Sequence, residues 1–248
     1  RRADLLRPGA VEHAVADADA VIHLLLDRGG WRGSGDDAAD RRVDVEVARD
    51  LVASFRGRSR KGAPPVVVLA GSTTQRGSTW GPGGVLPEDS VSDYDRQKEE
   101  AEALLRSATS EGVVRAVPLR LPTVFGPVPA GGRGVVGAMV RRAFAGEPLT
   151  MWHDGAVWRE FLYVDDVADA FRLALDYADS LAGRPWCLGS DRSERLGDVL
   201  RMIAALVSEY TGRDPVPVLR VPAPAYAKAS DFTDMVVDSS AFRSATGW

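Results

Sequence analysis

Ser72, Tyr94 and Lys98 are residue types that together can move a proton. Tyr94 and Lys98 stand four apart, so on a helix they share a face, roughly 6 Å apart along its axis. An unperturbed phenol titrates near pH ~10, and a neighbouring cation and a helix N-terminus both favour the phenolate. The expectation is that Lys98 lowers Tyr94 toward neutrality, with Ser72 hydrogen-bonding the substrate oxygen and Tyr94 donating to it. Only three lysines (Lys61, Lys98, Lys228) stand among 31 lysines and arginines, and an ammonium does not substitute for a guanidinium at such a site.

The flanking sequence supplies the elements that position these groups. Val66 to Ala70 is a β-branched apolar run, as a strand covered on both faces should be, and Ser72 follows it. Ser92 precedes Asp95 by three, which predicts a capped helix start beside Tyr94. Gly77 to Ser90, rich in Gly and Pro, reads as an active-site loop between the two.

Ser72 with Tyr94-Asp-Arg-Gln-Lys98 resembles the Ser/Thr, Tyr-x-x-x-Lys signature of short-chain dehydrogenases/reductases. The surroundings resemble the extended branch, the NAD-dependent epimerase/dehydratase family acting on nucleotide sugars. The resemblance implies an α/β fold: a Rossmann-like doubly wound parallel sheet with a smaller C-terminal substrate-binding domain. It also implies an NADP or NAD cofactor, with NADPH slightly favoured, a nucleotide-sugar substrate and a homodimer built on helix 38–56 and the Tyr94 helix. The implied nucleotide domain covers 1–127 and 160–180, and the nucleotide-sugar domain 128–159 and 181–248. Compared with the family, the chain opens about one βαβ unit late, without the Gly-rich turn that holds a pyrophosphate.

Further matches follow along the chain. Asp4-Leu5 is similar to the family's Asp-hydrophobic pair at the adenine, after which Pro8 to Ala18 reads as a short helix. Ala18 to Leu26 reads as a strand whose end, Leu24-Leu25, lies along the cofactor by resemblance, with His23 a positioned strand residue rather than a base. A Gly-rich loop, Asp27 to Asp37 with Trp31, borders the site. In helix 38–56, Val43, Val47, Leu51, Val52 and Phe55 recur at three to four spacing.

Val113 to Phe125 reads as one buried strand leading to Gly126-Pro127, with Arg120 matching the family and Thr123 standing where Asn is usual. The chain has no Asn at all, so family Asn positions must differ. Leu121 is an implied cofactor contact, and Thr73 and Thr123 are implied substrate contacts. Arg159 resembles the family arginine that meets the nucleotide diphosphate, a role suited to a guanidinium fork. Gly132-Arg-Gly-Val-Val-Gly137 matches a dinucleotide loop, but it follows the Tyr94 helix and is set off from the preceding strand by Pro127-Val-Pro-Ala; it reads as an entry loop of the substrate domain. The ending Asp238-Ser-Ser through Gly247-Trp248 also matches the family.

Composition narrows the classes further. A net charge of −4 and no basic patch oppose nucleic acid as partner. The single Cys187 fits a reducing cytoplasm, no apolar run is long enough to span a membrane, and no metal-ligand cluster stands out. Dehydratases of the family carry Thr-Asp-Glu where this chain has Ser72, Thr73 and Thr74, and a hydroxyl does not replace a carboxylate base. Leu121 to Pro127 and the Trp152-His-Asp-Gly stretch resemble 4-ketoreductases of nucleotide-linked 4-keto-6-deoxyhexoses, with a 4-epimerase as the alternative. A non-catalytic dinucleotide-binding sensor or scaffold is the third reading, which the complete Ser72, Tyr94, Lys98 set opposes.

Overall fold

The computed structural model describes residues 3–26, 42–58, 62–75, 92–127, 134–152, 154–225, 227 and 229–248. Trp31 with the Gly-rich stretch 27–37, the loop 77–90, and Gly132 of the dinucleotide-like motif lie outside the described residues. The strands are β1 (Ala20–His23), β2 (Val66–Ser72), β3 (Arg115–Leu121), β4 (Thr123–Phe125), β5 (Leu149–Trp152), β6 (Trp158–Tyr163), β7 (Trp186–Cys187), β8 (Ser193–Arg195) and β9 (Val218–Val221).

The central sheet has the order β1-β2-β3-β7, and every pairing in it is parallel. Side chains of β2 alternate between two cores, as strand geometry requires. Val67 and Leu69 pack on one side with Val47, Leu51, Phe55, Ala101 and Leu105, under helices Val47–Arg56 and Asp93–Ser110. Val66 and Val68 pack on the other with Leu119, Phe171, Ala174 and Leu181, under helix Val164–Asp176. A parallel sheet covered on both faces explains the unbroken apolar run in the sequence. The fold is a Rossmann-like α/β arrangement.

Three expectations about elements change. The helix expected over 38–56 is, in its described part, a π-helical turn, Arg42–Glu46, running into the α-helix Val47–Arg56. The single strand expected from Val113 to Phe125 divides into β3 and β4 around Pro122, which has no N–H with which to continue the ladder. Beyond that break β4 joins a separate sheet, β4-β6-β8. Finally, part of the segment 181–248 belongs with the central sheet. Strand β7 pairs with β3, placing Cys187 opposite Arg120, and Trp186 meets Phe242 edge-on at 6.1 Å between ring centroids.

A third core gathers elements on either side of β6 into a second lobe. Helices Val135–Phe144 and Leu196–Thr211 enclose a core of Ala143, Leu149, Leu200, Ile203, Ala204 and Val207, with β5 and β9 alongside. Gly134 caps the first of these helices at φ +132°, so that end of the dinucleotide-like motif opens a helix of the second lobe. Among the described residues no helix is long and apolar enough to cross a membrane.

Candidate active site

The site lies at the C-terminal ends of β1 and β2, where open parallel sheets bind ligands. Ser72 is the last residue of β2 and pairs with Leu121 at the end of β3. Tyr94 and Lys98 lie in the first turns of helix Asp93–Ser110. Its capping box is complete: the Ser92 hydroxyl accepts from the Asp95 N–H at 3.1 Å and the Asp95 carboxylate accepts from the Ser92 N–H at 3.1 Å. Two orphan amides are thereby satisfied, and the start of the helix is set where Tyr94 needs it.

Lys98 is 2% exposed, and its ammonium lies 5.7 Å from the centre of the Tyr94 ring. It donates to the Leu25 carbonyl at 3.0 Å and to Asp44 Oδ1 at 2.6 Å. Asp44, in the π-helical turn, was not anticipated from the sequence. Its signal was a carboxylate set between Val43 and Val47 in an apolar stripe, in a chain that has no Asn.

Burial, joined by that carboxylate, corrects the electrostatic expectation. Tyr94 is pushed above the usual phenol range, not below it, by burial first, then by Asp44, then by Asp95. Lys98, beside the Tyr94 ring, is itself paired with Asp44. His23, at the end of β1, is buried and lowered to about 4 by burial and by Lys98, so its ring is neutral.

A second group missed in the sequence holds the Ser72 turn from behind. The Ser72 N–H donates to Gln75 Oε1 at 2.6 Å, and Gln75 Nε2 donates to Glu102 at 3.2 Å. Arg120 in turn grips Glu102 through Nε at 3.0 Å and Nη2 at 2.9 Å, with both side chains buried. Burial of paired, hydrogen-bonded charge makes this cluster costly to break from one side only.

The other expected residues divide. Thr73 is 2% exposed and its hydroxyl donates to the Leu121 carbonyl, so on this turn it is Thr74, not Thr73, that stands beside Ser72. Leu121 packs partly buried against the second core, and Thr123 is half-buried in β4. Leu24 is exposed at 62%, while Leu25 packs against the first core and presents its carbonyl to Lys98. Asp4 is exposed and closes a turn by accepting from the Leu6 N–H, and Leu5 packs on the first core.

Arg159 lies away from this group, on β6. Its guanidinium donates to the backbone carbonyls of Trp158, Thr233 and Asp231 at 2.9, 2.6 and 2.6 Å. It therefore orders the 231–233 segment. Nearby, Trp158, Arg195, Arg220 and Phe232 line an open groove, with the Arg195 guanidinium 5.2 Å from the Trp158 ring centre.

Comparison with known proteins decides the family. Residues 1–189 match the NAD dependent epimerase/dehydratase family. The chain belongs to that family. A curated relative is the trifunctional UDP-glucose 4,6-dehydratase/UDP-4-keto-6-deoxy-D-glucose 3,5-epimerase/UDP-4-keto-L-rhamnose-reductase of Arabidopsis thaliana. It is 30% identical over 122 residues, which span 49% of this chain and 17% of the relative.

Solved structures agree in fold. The epimerase Mth375 of Methanothermobacter thermautotrophicus superposes with a TM-score of 0.83 at 17% identity, over 100% of this chain and 72% of that one. RMD of Pseudomonas aeruginosa, solved with NADPH, gives 0.78 at 20% identity over 100% and 82%. The UDP-glucose 4-epimerase of Thermus thermophilus, solved with NAD, gives 0.77 at 23% over 100% and 78%.

Proposed function

We propose that this family member is an NAD(P)-dependent nucleotide-sugar oxidoreductase that reduces the C4 keto group of a dTDP-linked 4-keto-6-deoxyhexose. The observation that carries the reading is the placement of Tyr94 and buried Lys98 on one helix beside Ser72 at the end of β2. When bound, the reduced nicotinamide supplies the hydride. The described residues suit a dinucleotide at this edge: Lys98 directs two of its three N–H groups to Leu25 and Asp44 and has a third for a ribose hydroxyl.

Tyr94 is the proton donor. The phenol, shifted upward, is protonated at neutral pH and so has a proton to give to a forming alkoxide. Arg159 keeps the family role at a nucleotide diphosphate by resemblance only, its guanidinium being held by three carbonyls; in the groove beside it Arg195 and Arg220 suit phosphate and a ring face, with Asp154 and Asp234 also in the lining. Relatives solved with NAD or NADPH support the cofactor class without choosing between them. A cytoplasmic homodimer is part of the same reading.

A 4-epimerase is the second reading. The contact of Ser72 with Thr74, which itself donates to Asp95, favours it, because a Ser72 hydroxyl that donates to Thr74 can accept from a substrate arriving as an alcohol. The test is to mix the full-length protein with NADPH or NADH and a dTDP-4-keto-6-deoxyhexose and follow reduced-cofactor absorbance. Stoichiometric, sugar-dependent loss establishes the reductase and names its cofactor. Interconversion of a nucleotide hexose without added reductant establishes the epimerase. Absence of both signals rejects both readings.

A further inference from the structure

Behind Ser72 runs a short chain of hydroxyls that ends on a carboxylate. Ser72 Oγ lies 2.6 Å from Thr74 Oγ1, and Thr74 Oγ1 donates to Asp95 Oδ1. The other oxygen of Asp95 accepts from the Ser92 hydroxyl at 2.5 Å and the Ser92 N–H at 3.1 Å. Asp95 is 3% exposed. The Thr74 N–H also donates to Ser72 Oγ, at 3.2 Å.

A count of protons sets the direction. A hydroxyl carries one proton, and a carboxylate only accepts. Thr74 gives its proton to Asp95, so it must accept in its contact with Ser72. Ser72 therefore points its proton at Thr74, away from the substrate. One lone pair of Ser72 Oγ receives the Thr74 N–H, and one is left toward the site.

We propose that Asp95 is a positioning residue that acts through Thr74 to make Ser72 a hydrogen-bond acceptor, so that the site holds the hydroxyl form of the sugar carbon in preference to the keto form. Ser72 accepts from the sugar hydroxyl. Of the Ser72 and Tyr94 hydroxyl groups, it is Tyr94 that donates to the keto oxygen. This rests on the nucleotide-sugar reading above, and it sets which oxidation state of the sugar binds more tightly.

The decisive variant is Asp95→Asn. Ser92 continues to donate to the amide oxygen, which turns the amide N–H₂ toward Thr74. Thr74 then accepts, gives its proton to Ser72, and the Ser72 proton turns to the substrate. Thr74→Val is the second variant, breaking the chain without touching the helix cap. Affinities for dTDP-6-deoxyglucose and dTDP-4-keto-6-deoxyglucose, and for their UDP counterparts, are measured by calorimetry on the full-length protein. ADP-ribose, which cannot transfer hydride, fills the cofactor site.

The native protein is expected to favour the hydroxyl ligand, and Asp95→Asn to move the ratio of the two affinities about tenfold toward the keto ligand. Thr74→Val should move it the same way by less. A change of both affinities by one common factor in both variants assigns Asp95 to the helix cap only and overturns the proposal. Failure of the native protein to bind any of the ligands instead overturns the functional reading on which it rests.

Discussion

Lys98 Nζ and Asp44 Oδ1 meet at 2.6 Å with each side chain only 2% exposed. The cation beside the Tyr94 ring is thus half of a buried pair. Asp44→Asn should retain a hydrogen bond to Lys98 while removing the negative charge that disfavours the phenolate. The Tyr94 proton then leaves more easily, so the basic limb of the pH–rate profile moves to lower pH. Lys98 and Asp95, the other charged groups at the ring, are unchanged in this variant. An unmoved or rising limb would mean that Asp44 does not act on Tyr94 through its charge.

Tyr94→Phe removes the donor and keeps the ring. The expected loss in turnover is about 10²- to 10⁴-fold, with nucleotide-sugar affinity nearly intact. Wild-type turnover in this variant would sink the proton-donor role; calorimetry beside steady-state kinetics separates the two effects.

The Arg120–Glu102 pair predicts a strongly non-additive pair of substitutions. Arg120→Met alone leaves a buried carboxylate facing Gln75 without its guanidinium, a loss of about 3–5 kcal/mol. The double variant Arg120→Met, Glu102→Leu removes both charges and should recover much of that stability. Thermal unfolding of the two single variants and the double variant checks this, and equal, additive losses would contradict it.

His23 makes the fold sensitive to acid. Its folded value is lowered from 6.5 to about 4, so between those limits the unfolded chain takes up a proton that the folded chain refuses. The contribution is complete above pH 6.5 and lost as pH falls toward 4, amounting to roughly 3 kcal/mol. In His23→Leu the gap in Tm between pH 7 and pH 4.5 should narrow; an unchanged gap would place the acid sensitivity elsewhere.

Local chemistry was legible in the sequence and tertiary pairing was not. The Ser92–Asp95 cap and the Tyr94–Lys98 spacing depend on residues within one or two helical turns, and both stand in the structure as read. The apolar run of β2 announced a strand buried on both faces. Asp44 and Lys98, by contrast, are 54 residues apart, and Gln75 and Glu102 are 27 apart. No periodicity links such positions; only the packing of helix Val47–Arg56 beside the Tyr94 helix brings the first pair together. The direction of Ser72 was hidden for a related reason. Its proton follows Asp95, which the sequence had already assigned to the cap.

Cys187 is the one cysteine in the sequence, and it is buried on β7 beside β3. Its thiol is a built-in clock for the central sheet. A reagent that colours on reaction with sulfur reaches so covered a thiol only slowly while the fold is closed. The rate of colour development therefore counts excursions in which the β7 edge opens, and ligand binding at the same C-terminal end of the sheet, where Cys187 lies opposite Arg120 and Ser72 opposite Leu121, would be read as a slowing of that clock, with no label added to the protein.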